Sequence, residues 1–138
     1  MEIPLSGKAS AVHLLMTGTT NPQASRMEHG VVTVQYADGG SARLSLRNPE
    51  TWWPIEQDYL LDDYLFINRA PLPVRIDLKT GRARQLADFK GKGGMIDGGA
   101  ATVLSLPLDA ARGLRSLRIE STLYGVVLAL LAVTLERA

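Results

Sequence analysis

The chain contains no cysteine, which excludes disulfides, zinc–thiolate sites and thiol nucleophiles while leaving the redox compartment open. It also lacks charge of one sign. Fifteen Lys and Arg stand against 14 Asp and Glu, for a net charge of +1. Such a balance gives no broad electrostatic footprint for nucleic acid or anionic lipid, and neither partner is expected. Long hydrophobic runs are missing too: Val126 to Leu135 is far shorter than the roughly 20 residues a helix needs to cross a bilayer, so no membrane span is expected. Met1 to Leu5 has neither the basic nor the apolar region of a secretory leader. No signal peptide is expected in this chain, while a parent that is periplasmic or secreted stays open.

What remains is ordinary globular composition. Hydrophobic residues make up 46% and charged residues 21% of 138, and a chain of this length buries roughly 68% of its unfolded surface. One domain over 1–138 is the simplest partition.

The clearest local pattern runs from Val31 to Arg47. Val32, Val34 and Tyr36 alternate with Thr33 and Gln35, and Ala42, Leu44 and Leu46 alternate with Arg43, Ser45 and Arg47. That period of two predicts paired strands, with Ala37-Asp38-Gly39-Gly40-Ser41 as the hairpin turn. Ala11 to Met16 reads as a buried strand that breaks at Thr17. Val74-Arg75-Ile76-Asp77-Leu78 alternates again, turns at Lys79-Thr80-Gly81, and pairs back through Arg82 to Ala87. Gly91 to Gly99 is a glycine-rich loop, and Ala101 to Leu106 is extended. Leu117 and Ile119 alternate with Arg118 and Glu120. The last run, from Val126, is rich in β-branched residues and predicts a fully buried strand. Short strands with short turns and no helical repeat predict an all-β antiparallel sandwich, jelly-roll-like.

Asn48 to Pro73 is the longest irregular connection, with a helical turn expected near Tyr59 to Phe66. It carries both tryptophans with Tyr59, Tyr64 and Phe66, and five carboxylates: Glu50, Glu56, Asp58, Asp62 and Asp63. Long connections of this kind often carry function. Flat rings with a polar edge suit stacking on sugars and anchoring at an interface alike. The candidate contacts to a glycan or partner are therefore Trp52, Trp53, Glu56, Asp58, Tyr59, Asp62 and Asp63. Glu56 and Asp58 could serve as the carboxylate pair of a glycosidase, although capping of loop amides is the commoner use of such residues. Asp58, Asp62 and Asp63 lack the order of a calcium loop, so neither metal nor other cofactor is expected.

Other motifs are weaker. His13 falls inside a predicted strand and His29 in a turn before Gly30, neither with a metal-ligand neighbour. No Gly-x-Ser-x-Gly elbow is present. Lys90-Gly91-Lys92-Gly93-Gly94 is not a Walker loop and reads as a connection. Arg112, Arg115 and Arg118 recur every three residues without forming a nucleic-acid face. No catalytic residue is assigned.

The string Asn48-Pro49-Glu50-Thr51-Trp52-Trp53-Pro54-Ile55-Glu56-Gln57-Asp58-Tyr59 resembles a segment of uncharacterised bacterial proteins similar to six-hairpin glycosidases, where it belongs to a C-terminal β-sandwich. Leu5 to Thr20, the Val32 to Gly39 hairpin and the closing Ala132-Val133-Thr134-Leu135 resemble the same domain. The resemblance implies a noncatalytic accessory domain of a larger protein, with the catalytic carboxylates on a helical domain that is its partner. Fold analogy alone supplies no reaction. Two alternatives remain: an autonomous carbohydrate-binding module using Trp52 or Trp53, and a stand-alone glycosidase using Glu56 and Asp58.

Overall fold

The computed structural model describes residues 1–20, 26–57, 71–84 and 95–137. Among them are nine strands and no helix: β1 (Glu2–Pro4), β2 (Ala11–Thr19), β3 (Glu28–Tyr36), β4 (Ser41–Arg47), β5 (Arg75–Asp77), β6 (Ala83–Arg84), β7 (Ala100–Pro107), β8 (Leu114–Ser121) and β9 (Val127–Glu136). All pairings are antiparallel. One sheet has the order β1-β8-β3-β4 and the other β6-β5-β7-β2-β9. The molecule is a two-sheet β-sandwich, as the alternating pattern predicts.

Alternation places the core. Val12, Leu14 and Met16 of β2 and Leu104 and Leu106 of β7 meet Val32, Val34 and Tyr36 of β3 and Leu117 and Ile119 of β8 between the sheets. Each such side chain, fully buried, contributes about 1.5–3 kcal/mol. The hairpin of β3 and β4 forms where its sequence predicts. Its turn needs Gly39 at a φ of 98°, a left-handed backbone that favours glycine. The Arg112 guanidinium lies across the turn, 1.9 Å from where a Cβ on Gly40 would stand, so a side chain there would have to displace it.

Three expectations change. β2 does not break at Thr17 but continues to Thr19, paired with β9. Gly18 makes this possible, since a Cβ on it would meet the Val127 carbonyl oxygen at 2.0 Å. His29 is not in a turn; it lies in β3 and is fully buried. The final run is a strand, yet not a fully buried one, because β9 stands at the edge of its sheet with one row of side chains outward. Leu15 pairs with Ala132 and Met16 with Leu130, so Leu131 is an extra residue in a β-bulge. The bulge changes the phase of the strand. Leu128 and Leu130 before it, and Val133 and Leu135 after it, all pack on the core.

Candidate functional site

The connection after β4 begins with a tight reversal. Thr51 N–H donates to the Arg47 carbonyl at 2.8 Å, and Thr51 Oγ1 accepts from Arg47 N–H at 2.7 Å while donating to the Ser45 carbonyl at 2.8 Å. The peptide bond between Asn48 and Pro49 is cis. This reversal sends the chain back across the end of the sandwich instead of out into solvent.

Trp52 and Trp53 are consequently both fully buried. The Trp52 indole N–H donates to His29 Nδ1 at 2.9 Å, the rings meeting edge to face with centroids 5.4 Å apart. Trp53 donates through its indole to the Pro49 carbonyl at 2.9 Å, and through its amide to Thr102 Oγ1 at 3.2 Å. Neither ring presents a face to a sugar or a partner. Glu56, the next candidate, is half-buried; its carbonyl accepts from Ile96 N–H at 2.7 Å. Asp58, Tyr59, Asp62 and Asp63 lie outside the described residues, as do the helical turn expected near Tyr59 to Phe66 and the Lys90 to Gly94 loop.

Arg75 organises this region, and the sequence pattern hides it. In β5 the alternation groups Val74, Ile76 and Leu78 against Arg75 and Asp77, the arrangement of a strand with apolar side inward. The structure reverses it. Arg75 is fully buried, while Val74 is 51% and Leu78 40% exposed. Its guanidinium donates to the carbonyls of Pro54 at 2.6 Å, Ala100 at 3.2 Å and Gln57, and sits 5.8 Å from the Trp53 ring centroid. A buried charge is tolerable only with such partners. The arginine thus straps the connection to β5 and β7, and Met95, paired with Gln57 by a β-bridge, is left 84% exposed beside it.

A second constellation joins residues far apart in the chain. His13 Nδ1 lies 2.8 Å from Ser105 Oγ and its Nε2 lies 2.9 Å from Glu136 Oε2. Val103 N–H donates to Val74 and Leu108 N–H to Ser10, so odd-numbered amides of β7 face away from β2. His13 and Ser105 are therefore a close, non-hydrogen-bonded pair across the ladder, the spacing that lets ring meet hydroxyl. Hydroxyl, imidazole and carboxylate are the groups of a nucleophile relay. Here, however, they stand on an open sheet face, with His13 37% and Glu136 60% exposed, whereas oxyanion stabilisation depends on a water-excluded site. The row acts as a staple across β7, β2 and β9. Sequence reasoning missed it because its members are 92 and 123 residues apart and only strand register brings them together.

Ser105 also borders a cleft of about 160 Å³ between the sheets, lined by Leu44, Glu50, Thr51, Pro73 and Val103 among others. Ligand pockets commonly run to roughly 300–1,000 Å³, so this one takes no more than a small group. Glu50 at its rim is engaged by Arg26 at 2.7 Å. Arg112 and Arg118 are likewise engaged, by Asp38 and Glu2. Among the described residues no three His, Asp or Glu side chains gather to hold a metal ion, and no helix there is long and apolar enough to cross a membrane. No family model, curated protein or solved structure matches the chain.

Proposed function

We propose that this chain is a noncatalytic accessory β-sandwich of a carbohydrate-processing protein, and that it packs against a helical catalytic domain through the surface around β5. One observation carries the reading: Arg75 of β5 is turned inward, while Val74 and Leu78 at the two ends of the strand are left exposed. An exposed apolar patch in a folded domain marks a surface that something else covers. Val74 and Leu78 flank β5, Met95 is held beside it through Gln57, and the strap from Asn48 ends there. The helical partner and the carbohydrate connection rest on the resemblance carried by Asn48 to Tyr59. The burial of Trp52 and Trp53 weighs against a binding module built on those rings.

The test combines two measurements. The isolated chain is assayed against plant and host glycans, where neither hydrolysis nor retention is expected. The gene's full product is then compared with its Val74→Lys and Met95→Lys variants by thermal unfolding and limited proteolysis. The helical domain should lose protection while the sandwich unfolds unchanged. Hydrolysis by the chain alone, or a gene that encodes no further domain, overturns the reading.

A further inference from the structure

Four strands bound the two sheets, and three of them are blunted. β1 has three residues, among them Glu2 and Pro4; β6 has two and carries Arg84; β4 carries Arg43 and Arg47. Shortness, charge and proline are the usual guards against edge-to-edge pairing. β9 is neither short nor interrupted by proline, and its single charge, Glu136, is its last residue. It runs ten residues, and no charge or proline occurs from Ser121 to Leu135. Among the described residues nothing pairs with its outer side. Val127 is 61% and Leu131 50% exposed, and Tyr124 in the preceding turn is wholly exposed.

We propose that β9 pairs with β9 of a second copy of this chain, antiparallel about a two-fold axis between Leu131 and Ala132, joining two five-stranded sheets into one of ten. A row of unpaired N–H and C=O groups is met by another extended strand, which fixes the occupant's conformation. The bulge fixes its identity. Leu128 and Leu130 face the core before it, Val133 and Leu135 after it, so a partner strand of regular period two matches β9 on only one side of Leu131. A second copy carries the same change of phase at its own centre. In this register Leu128 meets Leu135 and Leu130 meets Val133, core row against core row. On the outer face Val127 meets Glu136, Ala129 meets Thr134 and Leu131 meets Ala132. The arrangement is isologous, as a two-fold interface must be.

Charge selects the direction. Glu136 and Arg137 sit at one end of the strand, and antiparallel pairing lays them beside the uncharged Val127 and Val126 of the other copy. Parallel pairing would stack Glu136 on Glu136, which opposes association.

Sedimentation equilibrium over a range of concentrations tests the proposal. The chain should be a dimer, and Leu131→Lys should weaken self-association at least roughly tenfold, since it sets like charges close to the axis. Leu131→Asp should do the same, and an equimolar mixture of the two variants should recover a heterodimer. Circular dichroism confirms that each variant is folded, and recovery in the mixture excludes misfolding as the cause. Ser45→Lys on the β4 edge should leave the dimer intact. A monomer at every concentration, a dimer indifferent to Leu131, or a mixture that does not recover overturns the proposal, as does a monomer that instead captures an extended peptide. β5 lies toward the opposite edge of the same sheet, so the Val74 and Met95 variants leave this readout unchanged and the two proposals fail separately.

Discussion

A single lone pair holds the largest side chain of the core in register. Trp52 donates to His29 Nδ1 with both residues fully buried, so removing the indole N–H strands a buried acceptor. Trp52→Phe should therefore cost about 2–3 kcal/mol, the acceptor left without a donor adding to the volume lost. Changing both partners, Trp52→Phe with His29→Leu, should recover part of that loss, because the buried acceptor facing the ring is then removed as well. Urea unfolding monitored by circular dichroism measures both variants, and an unchanged midpoint in Trp52→Phe refutes the account. None of this was legible locally. Two tryptophans between Pro49 and Pro54 suit a sugar, an interface or the edge of the core alike, and what receives them, His29 and Thr102, lies 23 and 49 residues away. Arg75 misleads in the same manner. Charge in a period-two strand reads as solvent-facing, and only the carbonyls of a strap folded over it turn it inward.

At the level of elements the sequence speaks more clearly, since period two is a property of each strand alone. β3, β4 and β7 lie close to where alternation puts them. β9 shows the limit: an unbroken apolar run does not reveal whether its strand is central or at an edge, nor where a bulge shifts its phase. The β3–β4 hairpin has a further tie that composition does not announce. Arg112 Nε donates to Asp38 Oδ2 at 2.7 Å, and its Nη2 donates to Oδ1. The same guanidinium lies 4.0 Å from the Tyr36 ring centroid. These bonds from Arg112, joined by the Gly40 amide, pull the Asp38 carboxyl down from 3.8 to about 2. With the folded value below the unfolded one, the native state binds fewer protons, and the stabilisation is full above the ordinary aspartate range. It is lost as pH falls from about 4 toward 2. Glu2, bonded by Ser116 and Arg118, and Asp77, bonded by the Thr80 amide, are lowered too and act in the same direction. Asp38→Asn should flatten part of the acid limb of a melting-temperature profile and leave the remainder, with the Arg112 end of the hairpin more open to hydrogen exchange. An unaltered acid limb counts against the clamp.

For the whole molecule the decisive fact is the place of β2. It is second in sequence yet sits between β7 and β9, and the staple through His13 reaches Ser105 and Glu136 across most of the chain. Pairings this distant require loop closure before any contact rewards it, so refolding should take on the order of milliseconds to seconds, slower than helical domains of equal size. Stopped-flow tryptophan fluorescence should report it, since Trp52 and Trp53 enter the core only when β3 and β7 are in place. A microsecond phase carrying the full amplitude would contradict this. Overall class and strand spacing were thus open to reading from the chain, whereas strand order and the burial of the site depended on distant pairings.

The same topology bears on how the protein is made. β2 is complete at Thr19, but its neighbour β7 ends at Pro107. At ribosomal rates of about 5–20 residues per second, β2 therefore waits roughly 5–20 s for its first partner. Throughout that interval Val12, Leu14 and Met16 are an apolar row with no sheet to join. During synthesis, then, the second strand rather than the last is the segment most in need of a chaperone.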